Sequence, residues 1–78
     1  MTILERLELL LRDVFDDLTI VATPDLDARR VRGWDSLGNV RLFVEIEREF
    51  GIRFRTAEIS SLKNVGELAD LVATRTSR

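Results

Sequence analysis

The chain of 78 residues has no cysteine, no histidine and no tyrosine, and only one proline, one tryptophan and one lysine. Each absence closes a class of chemistry. Without cysteine there is no disulfide, no thiolate nucleophile and no zinc site of the cysteine type, so stability rests on packing alone. That usage fits a reducing compartment, and a cytoplasmic location is expected. Losing histidine removes the commonest general base, and losing tyrosine removes the phenol. Catalysis would be left to carboxylates, Lys63, arginines and hydroxyls. An enzyme is therefore not expected, and any reactive group has to be imported. No apolar run is long enough to span a membrane, and Glu5 and Glu8 interrupt the segment where a signal peptide would need its apolar core. The chain reads as one small soluble domain over residues 1–78, monomeric and without a membrane partner.

The net charge of −2 conceals a polarised distribution. Residues 1–28 hold two arginines against seven acids, residues 29–55 hold seven arginines against four acids, and residues 56–78 balance three against three. The basic part could suggest a nucleic-acid partner through Arg29, Arg30, Arg32, Arg41, Arg48, Arg53 and Arg55. The overall acidity and the lack of a basic recognition helix argue against one, so no nucleic acid is expected.

Hydrophobic periodicity predicts an all-α fold, an antiparallel bundle of three main helices and one short one, with a long first loop. Thr2 and Glu5 have the spacing of a capping box for the first helix. Ile3, Leu4, Leu7, Leu10, Leu11, Val14, Phe15 and Leu18 form its apolar face, and Leu9 is the misfit on the polar side. Residues 19–34 lose the period. Ile20, Leu26 and Val31 are expected to pin this loop, through one helical turn capped by Thr23 with Pro24 at its first position. The second helix is expected from Ser36 to Phe50, stopped by Gly51, with Leu42, Phe43, Ile46 and Phe50 as its core stripe. Val40 and Val44 could face either way. Residues 52–54 read as an extended connector, residues 56–61 as a short helix aiming Ile59 and Leu62 inward, and Asn64 with Glu67 as a cap for the last helix. Residues 74–78 are expected to fray.

At the head of the second helix stands Gly33-Trp34-Asp35-Ser36-Leu37-Gly38-Asn39-Val40. Asp35 or Ser36 can cap the helix, because a short side-chain oxygen accepts a hydrogen bond from a first-turn amide. A phosphate attached to Ser36 would lie where the helix dipole favours negative charge.

Asp35-Ser36-Leu37, with Val40 and Leu42 following and Glu45, Glu47, Glu49, Phe50 and Gly51 closing the helix, resembles the acyl carrier protein family, and the likeness extends over nearly the whole chain. The resemblance implies a 4′-phosphopantetheine arm on Ser36, moved there from coenzyme A by a phosphopantetheinyl transferase that uses magnesium. Asp35 would lie beside that magnesium, and Leu37 would contact the transferase. A partner face would comprise Leu37, Val40, Arg41, Val44, Glu45, Glu47 and Arg48. An interior lined by Leu42, Phe43, Ile46, Phe54, Ile59 and Leu62 would shelter the cargo. Further implied partners are an acyl- or aminoacyl-loading enzyme and downstream biosynthetic enzymes. The alternative is a subunit of the same fold that is never modified and docks through its second helix.

The pattern also departs from the family's fatty-acid members, whose second helix starts acidic, whereas this one reads Leu37-Gly38-Asn39-Val40-Arg41-Leu42. Trp34 and the Glu49-Phe50-Gly51-Ile52 ending look more like carriers serving polyketide, modified malonyl or aminoacyl pathways. Partners of acidic carriers generally present basic surface, so Arg29, Arg30, Arg32, Arg41 and Arg48 are expected to repel them.

Overall fold

Thr2 starts the first helix as its spacing predicts. Its hydroxyl accepts the Glu5 amide at 3.1 Å while the Glu5 carboxylate accepts the Thr2 amide at 2.8 Å. In this computed structural model, which describes residues 1–76, helix α1 (Ile3–Val14) buries Leu7, Leu11 and Val14. Ile3, Leu4, Leu10 and Phe15 pack around them. Each such Leu contributes roughly 1.5–3 kcal/mol of transfer free energy on leaving water. Leu9 is exposed, as its phase predicts, but Leu18 is 82% exposed where the periodicity put it in the core. The helix has ended by then. Asp16 takes a left-handed φ of 50°, the chain turns away, and the 3.6-residue period no longer governs.

The long first loop is pinned by Ile20, Leu26 and Val31, as expected, and also by Ala22. Two polar residues of α1 clamp it as well. Arg12 Nε donates to the Ile20 carbonyl at 2.8 Å, Glu8 accepts the Ala22 amide at 2.8 Å, and the two side chains pair at 3.3 Å. The helical turn expected at Thr23 and Pro24 lies further on. Pro24 and Asp25 form a simple turn, closed by the Leu26 amide on the Thr23 carbonyl at 3.1 Å. The helical turn is a 3₁₀ segment, Ala28–Arg30, capped by Asp27. The reason is tertiary: the Pro24 and Leu26 carbonyls accept the Gly66 and Val65 amides, both at 2.8 Å, so they serve the last helix instead of a local one.

Helix α2 (Ser36–Phe50) ends at Gly51, whose φ of 66° places it in the left-handed region that glycine enters without strain. It runs antiparallel to α1. Arg6 near the start of α1 pairs with Glu49 at 3.0 Å and lies 4.1 Å over the Phe50 ring, while at the other end Arg41 donates to the Val14 carbonyl at 3.0 Å. Leu42, Phe43 and Ile46 are buried and Phe50 half-buried.

Residues 52–54 are an extended connector, and no strand occurs among the described residues. Phe54 sets its ring edge-on to Phe43 at 5.1 Å. Helix α3 (Thr56–Ser61) and helix α4 (Val65–Thr76) follow. Asn64 accepts the Glu67 amide at 2.9 Å, but the returning Glu67 carboxylate takes the Lys63 amide. Val65, Leu68 and Val72 complete the core against α1. The fraying expected from residue 74 does not begin before Thr76, because Arg75 pairs with Glu58 of α3. Residues 77 and 78 of that expectation lie outside the described residues.

Candidate functional site

Asp35, rather than Ser36, is the N-cap of α2: its extended backbone lets Oδ1 accept the Gly38 amide at 2.9 Å. Ser36 is the first helical residue. It is exposed, and its hydroxyl makes no hydrogen bond among the described residues. The turn before it is held from two sides. Trp34 stacks on Phe15 from the end of α1, centroids 5.7 Å apart, and its Nε1 donates to Asn39 Oδ1 at 2.8 Å. The Gly33 carbonyl passes so near α2 that a β-carbon at Gly38 would lie 2.1 Å from its oxygen. Gly38 therefore permits the close approach that seats the turn.

Beside Ser36 a cleft of about 330 Å³ opens between α2, α3 and the first loop. Ser36, Asn39 and Phe43 form one stripe of α2 along it, Ile59 and Leu62 face them, and Leu68 lies beneath. Of the six residues expected to line an interior, Phe43, Ile59 and Leu62 border this cleft. Leu42 and Ile46 are instead fully buried in the helix interface, and Phe54 is engaged with Phe43. Ala28, Trp34, Asn39, Ser60, Lys63, Asn64 and Leu68 also line the cleft, and sequence reasoning had not placed them there. Only Asn39, three residues after Ser36 on the same helix, carried a signal that spacing could have supplied.

Leu37, Val40 and Val44 form a separate stripe, exposed by 71%, 58% and 46%. The ambiguity over the two valines is thereby resolved toward solvent. Arg48 pairs with Glu45 at 3.3 Å on its flank, and a depression of about 270 Å³ between Asp13, Val40, Arg41 and Glu45 joins it to the end of α1. Glu47 does not share this surface. It continues the stripe of Phe43, and its carboxylate accepts the Phe54 amide at 2.9 Å.

A helical bundle that offers an exposed serine hydroxyl on the first turn of a helix, next to a partly apolar cleft, has the form of a carrier for a tethered group. Residues 5–72 match the family described as phosphopantetheine attachment site, and the chain belongs to that family, among the acyl carrier proteins, whose prosthetic group is 4′-phosphopantetheine. It is 39% identical over 54 residues to an acyl carrier protein of Acidothermus cellulolyticus. That stretch covers 69% of this chain and 57% of the relative, a little over half of its length. The fold superposes on the solution structure of a holo acyl carrier protein from Geobacter metallireducens with a TM-score of 0.93 and 42% identity, covering 100% of this chain and 90% of that one. The residues fit the group. Ser36 has an accessible hydroxyl, the amide end of α2 favours a phosphodiester, and the cleft offers an attached arm a place to lie.

Proposed function

We propose that this protein is a non-catalytic carrier that holds acyl intermediates on a 4′-phosphopantetheine arm attached to Ser36 and presents them to partner enzymes of a biosynthetic pathway in the cytoplasm. The observation that carries this reading is the exposed hydroxyl of Ser36, unbonded among the described residues, on the first turn of α2 at the mouth of the cleft. The arm supplies the thiol on which acyl groups are held as thioesters. The chain's own residues do the positioning. Asp35 holds the helix start through one carboxylate oxygen, and its other oxygen is open to the magnesium that a transferase brings. The end of the α2 dipole favours the diester by about 0.3–1 kcal/mol. Leu37, Val40 and Val44, with Arg41, Glu45 and Arg48 around them, offer the transferase, a loading enzyme and downstream enzymes an apolar contact with a charged rim. Glu47, engaged with the connector, contributes to that face only indirectly.

Incubation with coenzyme A, magnesium and a phosphopantetheinyl transferase of broad specificity should add one phosphopantetheine mass to the wild type and none to Ser36→Ala. Intact-mass spectrometry reads the result. Modification of the alanine variant would remove Ser36 from this role, and a wild type that stays unmodified would favour the docking subunit.

A further inference from the structure

We infer that the cleft beside Ser36 selects a short acyl group that carries oxygen acceptors, above all a terminal carboxylate, over a plain alkyl or an aminoacyl group. The inference rests on the carrier reading and names its cargo class.

The cleft has an apolar floor of Phe43, Leu68 and Leu62 and a polar rim that includes Asn39, Lys63 and Asn64. What the rim has left to offer follows from what its members already spend. Trp34 Nε1 can only donate, so the oxygen of Asn39 is the atom turned toward it, and the Asn39 amide nitrogen keeps its two hydrogens. The Glu67 amide likewise can only donate, and it occupies the oxygen of Asn64, leaving that side chain its NH₂. Lys63 has no acid within ion-pair distance among the described residues, although the chain has an excess of acids. Donors therefore predominate in what the rim has left, one cation among them. Against them stand the second oxygen of Asp35, the rim's single carboxylate, whose first oxygen is committed to the Gly38 amide, and the hydroxyl oxygen of Ser60, whose hydrogen is shared between the Thr56 and Ala57 carbonyls.

A group with carbonyl or carboxylate oxygens meets that surplus, and its methylenes meet the floor. The ammonium of an aminoacyl group would have only the second oxygen of Asp35 and the Ser60 hydroxyl to accept its hydrogens, with Lys63 and two amide NH₂ groups opposing it. An alkyl chain would cover the floor but leave donors facing it without acceptors. At about 330 Å³ the space lies at the small end of ligand pockets, roughly 300–1,000 Å³, which favours a few carbons over a long chain. The diester and amides of the arm also carry acceptor oxygens, so the experiment separates arm from cargo.

The full chain is loaded at Ser36, through coenzyme A analogues with non-hydrolysable linkages, with the bare arm, a butyryl arm, a succinyl arm or a glycyl arm. Intact mass confirms loading before any comparison. Side-chain amide resonances of Asn39 and Asn64 are then followed in wild type, Lys63→Gln and Lys63→Arg. The succinyl arm should shift both amides beyond the bare arm and raise the melting temperature above that of the butyryl and glycyl forms. Lys63→Gln should erase the gain and Lys63→Arg retain it. Equal shifts from all four arms would mean that the arm itself occupies the rim, and equal behaviour of the butyryl and succinyl forms would mean that the rim does not discriminate. Either result overturns the inference and leaves the carrier reading standing, whereas failure of Ser36 to take any arm overturns both.

Discussion

At Gly38 one hydrogen decides the geometry of the serine mount. A methyl in its place would press on a backbone oxygen of Gly33, which has no flexible end to give way, and on Phe15 Cε1 at 2.9 Å. Gly38→Ala should therefore destabilise the fold by about 1–3 kcal/mol, the usual range for overpacking, despite alanine's better helix propensity. For a domain of this size that is a fall in melting temperature of roughly 4–8 °C per kcal/mol, read by circular dichroism. Unchanged melting would mean that the turn moves aside freely. Arg41 is a second residue whose role changed once its neighbours were known. Read from sequence it is a surface charge on the docking helix, but in the fold it also satisfies the last turn of α1 through the Val14 carbonyl. A charge reversal there would disturb packing and recognition together, so it is a poor probe of either.

At the scale of elements, the first loop stands out because it is long yet ordered by groups from outside it. Glu8 and Arg12 have the phase of a solvated helix face, and they act as the loop's clamps. Glu8→Ala leaves the half-buried Ala22 amide without its acceptor, at a cost of about 1–3 kcal/mol. Amide hydrogen exchange should show loss of protection at Ala22 with little change within α4. Protection unaltered at Ala22 would mean that burial of Ile20 and Leu26 holds the loop alone. The same interdependence explains the shifted helical turn, since the carbonyls of Pro24 and Leu26 are drawn to the start of α4.

For the whole molecule, charge is the property with measurable consequences. Five carboxyls lie below their ordinary values. Glu5 does so through the Thr2 amide, Asp17 and Asp25 through the hydroxyls of Thr19 and Thr23, Asp27 through the Arg29 side chain, and Glu58 through the Arg55 amide and then Arg75. A folded-state value below the unfolded one means that the unfolded chain binds more protons as the pH drops. The stabilisation is therefore complete above the ordinary values of 3.8 for Asp and 4.5 for Glu, and is lost as pH falls through the lower folded values. Melting temperature should be level from neutrality to about pH 5 and decline below it. A decline already under way at neutrality would point to some other group. Charge also bears on partner choice. Arg29 pairs with Asp27, Arg30 with Asp25 and Arg48 with Glu45, so of the arginines expected to repel a basic partner, Arg32 alone has neither an acid nor a carbonyl partner among the described residues. A transferase dedicated to acidic carriers should modify Arg32→Glu a few-fold faster than wild type at low salt. The difference should shrink at moderate salt, where screening acts within about 8 Å. Initial rates by intact mass make the comparison, and equal rates would mark Arg32 as ordinary solvated surface.

The sequence by itself determined the four α-helices and the signals that end α1 and α2, because those depend on interactions a few residues apart. Thr2 with Glu5, Asp35 before Ser36, and Gly51 after Phe50 each specify a helix end within one turn of chain. The core of α2 and the three anchors of the loop were legible for the same reason, as periodic or isolated apolar residues. What only the tertiary structure decided were features assembled from distant segments. The cleft takes its lining from the loop, α2, α3 and α4, and only the α2 stripe of Ser36, Asn39 and Phe43 shares one helical spacing. The donor character of its rim depends on which atoms of Asn39 and Asn64 are already occupied, by Trp34 and Glu67. Leu18 went to solvent and Glu47 to the connector because a side chain's surroundings are set by where the chain goes next. Periodicity describes a helix only as far as the helix lasts.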